Sequence, residues 1–60
     1  MTVTLAIECD NDAFAGEAGP EIARILRELA DKFDRGAAMG DRALLRDING
    51  HLVGQCLVNG

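Results

Sequence analysis

The segment GPEIARILRELADKFDRG, residues 19–36, constrains the chain most. Ile22, Ile25, Leu26, Leu29, Ala30 and Phe33 recur at three- and four-residue steps, which lays them along one side of an α-helix. Gly19 and Pro20 stand where an N-cap and a first helical position belong, and Gly36 where a left-handed C-cap belongs. The pattern predicts a helix over 20–35. Its other side offers Arg24–Glu28, Arg27–Asp31, Glu28–Lys32 and Asp31–Arg35 as i,i+4 pairs, each worth only about 0.2–0.5 kcal/mol when exposed. Most of the helix's stability must therefore come from burying the apolar stripe. A chain of 60 residues has room for one small core in which to do so.

The flanking segments supply strands. In TVTLAIEC, Val3, Leu5, Ile7 and Cys9 alternate with Thr2, Thr4, Ala6 and Glu8, the mark of a half-buried strand over 2–9. After the helix, GAAMGD reads as a connector, and RALLRDINGHLVGQCLV as two strands, 41–48 and 51–58, around Asn49-Gly50. Asn-Gly favours a two-residue type I′ turn, because both central residues need φ > 0. That register opposes Asp47 to Leu52, Leu45 to Gly54 and Ala43 to Cys56. One face then carries Ala43, Leu45, Leu52, Cys56 and Val58, and the other Arg42, Leu44, Arg46, Ile48, His51, Val53, Gln55 and Leu57. Asp47-Ile48-Asn49-Gly50 also suits a type I turn closed by a left-handed Gly50, which would shift one strand by a residue and reverse its faces. The two-residue register gives the cleaner apolar face and is the expected one. Gly54, alone inside a strand, reads as a bulge or a close approach of the helix.

These elements assemble as one α+β domain, β-α-β-β, with a single helix packed on a three-stranded antiparallel sheet of order 2-3-1. A right-handed crossover carries the chain over the helix. HLVGQCLV, the most apolar strand of the hairpin, suits the centre. One sheet face remains open, and Leu44, Arg46, Ile48, Val53 and Leu57 form a candidate interface on it, for instance in a homodimer.

Charge is distributed unevenly. Up to Ala23 there are five acids and no base, a charge of −5; from Arg24 onward six bases oppose five acids, leaving +1 of the total −4. With two Phe, no Trp or Tyr and no basic stripe, the chain lacks the composition of a nucleic-acid binder. No run approaches the roughly 18 apolar residues of a membrane span. The N-terminus lacks the basic and apolar regions of a signal peptide, so Cys9 and Cys56 read as small core thiols in a reducing cytoplasm.

No constellation for catalysis or metal binding stands out. His51 has no nameable acid–base partner, and it forms no known zinc spacing with the two cysteines. Counted from Asp10, the loop CDNDAFAGEAGPE places Asp12 and Glu21 at calcium-ligand positions, but Phe14 and Ala15 occupy the places of a ligand and the required Gly. The chain is therefore expected to be a non-enzyme with no cofactor and no metal. Glu8, Asp10, Asp12, Glu17 and Glu21 have a plain reading as turn formers and helix-dipole complements. They have a functional one too: gathered at one end, they would face a protein that normally grips nucleic acid with Lys and Arg. Phe14, the one large apolar residue of that loop, either folds over the end of the core or anchors a partner.

The pieces IECDNDAF, EIARILRELADKF and LRDINGHLVG resemble a group of very small proteins encoded in phages, prophages and mobile elements of proteobacteria. Proteins of that size and setting include inhibitors of type I CRISPR–Cas systems. The resemblance implies no catalytic residue. It implies a stoichiometric partner, a Cas protein or surveillance complex in a host bacterial cell, held through the acidic end or the open sheet face. A phage accessory protein acting as a homodimer is the alternative.

Overall fold

The computed structural model describes residues 1–36 and 40–59. Half of the predicted connector, 37–39, lies outside the described residues. The chain runs β1 (Thr2–Ile7), a 3₁₀ turn (Asp12–Phe14), α1 (Gly19–Asp34), β2 (Arg42–Arg46) and β3 (Leu52–Asn59). The sheet is antiparallel with order β1-β3-β2, the arrangement expected from the sequence.

The helix forms where its periodicity predicts, with its first turn one residue early. Ala18 is the N-cap, without a side-chain cap bond, and Pro20 falls within the first turn, where its missing N–H costs nothing. Gly36 closes the other end at φ 117°. Ile25 and Leu29 are buried, while Leu26 remains exposed on the flank of the stripe. Of the four anticipated i,i+4 pairs, Arg24–Glu28 forms at 2.9 Å; among the described residues the other three lie beyond salt-bridge reach.

The hairpin departs from expectation in an instructive way. Asn49 does not take positive φ, so the type I′ turn is absent. Instead Gly50 N–H donates to Asp47 O at 2.9 Å with Gly50 at φ 86°, and Asp47 N–H donates to His51 O at 2.9 Å. This is the type I turn closed by a left-handed Gly50, the alternative register. A bulge between Leu45 and Arg46 then cancels the shift: Arg46 opposes Leu52, yet Leu45 opposes Gly54 and Ala43 opposes Cys56, as expected. Both registers occur, on either side of one bulge.

The bulge redirects two side chains. Val53 turns into the core at 5% exposure and Leu52 faces outward at 57%, the reverse of the sequence-based assignment. Val53 is thus no part of an open-face interface. Gly54 accounts for its place by contact with β1, not with the helix: a Cβ there would stand 2.0 Å from the carbonyl oxygen of Ala6. Only glycine lets the two strands lie together at this point.

Phe14, Ile25, Leu29, Leu45, Val53 and Cys56 make one apolar cluster, with Ile7, Ile22 and Phe33 packed around it. Phe14 closes the end of the core and is buried, so it is not a surface anchor. Cys56 is buried at the sheet centre, but Cys9 lies beyond the end of β1 and is exposed, correcting its expected place in the core. The strand predicted over 2–9 ends at Ile7. Nor is β1 half-buried: Val3 and Leu5 are 53% and 41% exposed, because α1 packs toward β2 and the 3₁₀ turn. Among the described residues, no helix is long and apolar enough to cross a membrane.

Candidate partner-binding site

The end of β1, the β2–β3 turn and the start of α1 converge, and two buried carboxylates tie them together. Asp47 Oδ1 accepts from the backbone N–H of Asn49 and of His51, each at 2.9 Å, and its Oδ2 accepts from Asn11 Nδ2 at 3.0 Å. An Asp at the first place of a type I turn bonds its own backbone two residues on, so the residue type selects the turn. Glu21, on the first turn of α1, accepts from Arg24 Nε at 2.7 Å and Nη2 at 3.1 Å, and from the backbone N–H of Ile48 at 2.8 Å. Arg24 also donates to the Arg46 carbonyl at 3.1 Å, and Arg46 Nη1 to the Gly50 carbonyl at 3.1 Å. The turn's backbone is held from within and from the helix.

These bonds set the electrostatics. The paired guanidinium of Arg24 lowers the Glu21 pKa below the ordinary carboxylate value, outweighing burial, with the Ile48 N–H adding to the effect. Burial alone would raise Asp47, but donors from His51, Asn11 and Asn49 together hold it below its ordinary value. Arg24 is raised, chiefly by its hydrogen bond to Glu21. Glu21 is therefore an internal strut rather than an exposed partner contact, which corrects its place among the surface acids.

The other four acids behave differently. Glu8, Asp10, Asp12 and Glu17 are exposed, and among the described residues none has a Lys, Arg or His nitrogen within 4 Å of its carboxylate. Asp10 and Asp12 line a shallow depression with Asn11, Asn49 and His51, directly beside the turn. Glu8 borders an adjoining groove on the open sheet face with Leu44, Leu52 and Gln55. Glu17 lies on the link into α1. His51 Nδ1 stands 3.4 Å from Asp47 Oδ2, a contact that sits on the rim and leaves the ring mostly exposed.

On the open face, Leu44, Arg46 and Ile48 are exposed as expected, and Leu57 is half-buried. Ile48 stands out at 69% exposure, on a turn whose backbone is fixed. The sequence reading missed Leu52, and it missed Asn11, Arg24 and Asp47 as a linked set. Asp-Ile-Asn-Gly was the available signal for Asp47; nothing in the spacing pointed to Asn11 or Arg24 as its neighbours in space. Compared with family models, with curated proteins and with solved structures, the chain matches none.

Proposed function

We infer that this chain is a protein-binding module whose acidic end occupies a basic surface that its partner otherwise uses to grip nucleic acid. The observation that carries this reading is the set of exposed carboxylates Glu8, Asp10, Asp12 and Glu17, without a cationic partner among the described residues, of which Asp10 and Asp12 lie beside a turn locked by Asp47 and Glu21. Unpaired acids retain their full field toward an incoming Lys or Arg, which speeds encounter and selects a basic partner. A backbone already held in place loses little freedom on binding. The partner in this reading is a subunit of a type I CRISPR–Cas surveillance complex, or its nuclease, and the protein acts as a stoichiometric inhibitor without catalysis. That assignment is supported by the resemblance of the three segments around Asn11, Glu21–Arg24 and Arg46–Gly50. Those segments meet at this same end through the hydrogen bonds above.

The test is a pull-down of the tagged protein with purified type I complexes and their nuclease, reading target-DNA binding on the same samples. A salt-sensitive complex that blocks DNA binding, and is lost in the Asp10→Lys, Asp12→Lys, Glu17→Lys triple variant, is the expected result. A complex that leaves DNA bound moves the mechanism to nuclease recruitment. Absence of binding across several subtypes refutes the inhibitor reading and leaves the accessory-protein alternative.

A further inference from the structure

The two edges of the sheet are unlike. β2 is RALLR, five residues bracketed by Arg42 and Arg46, and a bulge at Val53 of β3 interrupts the pairing of the two strands. Charged residues and bulges are the usual protection of an edge strand. β1 is TVTLAI, six residues without a charge, a glycine or a proline, and among the described residues nothing pairs with its outer side. It has no such protection.

The direction of its unpaired groups follows from one bond. Glu8 N–H donates to Val53 O at 2.7 Å. Because bonding alternates along an antiparallel strand, the even-numbered residues of β1 direct their N–H and C=O groups at β3, and Val3, Leu5 and Ile7 direct theirs outward. The side chains of these same three residues lie on the helix side of the sheet. There Val3 and Leu5 remain about half exposed, and Leu26 of α1 is exposed about 200° round the helix from Arg24, whose guanidinium reaches β2. The accessible surface is 4161 Å², against about 3,800 Å² for a compact monomer of 6.4 kDa.

We propose that β1 pairs with β1 of a second copy, antiparallel about a two-fold axis normal to the sheet, to give a continuous six-stranded sheet with both helices on one side. With Leu5 at the axis, Leu5 opposes Leu5 of the other copy and Val3 opposes Ile7, so every outward N–H and C=O from Val3 to Ile7 gains a partner. Opposed residues of an antiparallel pair share a face, so the uncovered aliphatics of both copies meet between the two helices. On the other face Thr4 opposes Ala6 and Thr2 opposes Glu8, with no like charges in contact. The same operation on β2 would set Arg42 against Arg46 twice, which like-charge repulsion disfavours. Pairing β1 with β2 of another copy does not close and would lead to filaments. A second copy through β1 is thus the occupant that the strand's own sequence favours. The interface differs from the open sheet face carrying Leu44, and it does not rest on the partner proposed above.

Sedimentation in reducing buffer, which keeps exposed Cys9 from cross-linking, should show a dimer whose population grows from micromolar to millimolar protein. Val3→Pro removes an outward donor at an edge position where proline is tolerated; Leu5→Lys places two like charges at the axis. Each should weaken the dimer at least tenfold while the helical signal persists, and Leu44→Lys should leave it unchanged. In a mixture of labelled and unlabelled wild-type protein, isotope-filtered contacts between copies should join Val3, Leu5 and Ile7, a readout that needs no variant to fold. A monomer throughout, or inter-copy contacts confined to Leu44, Ile48 and Leu52, would overturn the proposal.

Discussion

At the β2–β3 turn, the backbone N–H groups of Ile48, Asn49 and His51 are each met by a carboxylate, Glu21 from the helix or Asp47 from the turn itself. Along the outer side of β1, the corresponding groups of Val3, Leu5 and Ile7 meet nothing among the described residues, and the aliphatic side chains beside them are half exposed. The same short chain thus completes one region by itself and leaves another incomplete. A core of so few residues cannot cover three strands with one helix, and α1 is placed where its polar first turn can reach the hairpin. The bonds from Glu21 and Arg24 that settle the turn tie the helix to the β2 side, away from β1.

The largest effects should come from the points that let the strands meet. Gly54→Ala drives a Cβ into the Ala6 carbonyl, so β1 must separate from β3; a loss of about 3–5 kcal/mol is expected in denaturant titration. Val53→Asp buries a charge in the core and should be as damaging, whereas Leu52→Asp, one residue away on the surface, should stay within about 1 kcal/mol of wild type. Equal sensitivity at the two positions would show that the bulge is misplaced.

Next come the carboxylates of the turn. Asp47→Ala leaves three donors without their acceptor and should destabilise the domain more than Glu21→Gln, which keeps an acceptor oxygen. Their titration gives a pH dependence of defined sign. Both folded pKa values are lowered, so between them and the ordinary carboxylate range the unfolded chain binds more protons. The stabilisation is complete above that ordinary range and is lost as pH falls through the folded values. Thermal melts should show this acid loss in wild type, and a shallower one in Glu21→Gln. The smallest effect belongs to the exposed acids: Asp10→Lys and Asp12→Lys should change stability by less than about 0.5 kcal/mol. Marked destabilisation there would assign those acids to the fold rather than to a partner.

Much of this contrast was visible in the residues. The 3–4 spacing from Ile22 to Phe33, the glycines at both helix ends and the apolar patterns of the flanking segments placed the helix, the three strands and the strand order, but not the 3₁₀ turn at Asp12–Phe14. The hairpin was harder, because Asn49-Gly50 and Asp47-to-Gly50 specify different turns within the same residues. What decided between them is tertiary: Glu21 lies 27 positions before Ile48, yet it binds the N–H that the type I turn exposes. The bulge at Val53 follows from that choice, since β3 can regain its apolar register against β2 only by absorbing one residue. Alternation also overstated the burial of β1, because a period of two names a face without saying whether a helix reaches it. In the acidic loop, Glu21 and Asp10 are the same kind of signal in sequence, and only the position of Arg24 and the turn separates a strut from a surface charge.

The turn end is held rigid by its own carboxylates, while nothing among the described residues holds the outer edge of β1. Residue-resolved hydrogen exchange on reduced protein, dilute enough to sediment as monomer, addresses both regions at once. The amides of Ile48, Asn49 and His51 are expected to exchange as slowly as those in the centre of β3, and those of Val3, Leu5 and Ile7 rapidly. Turn amides that exchange as freely as those of the outer edge would contradict this contrast.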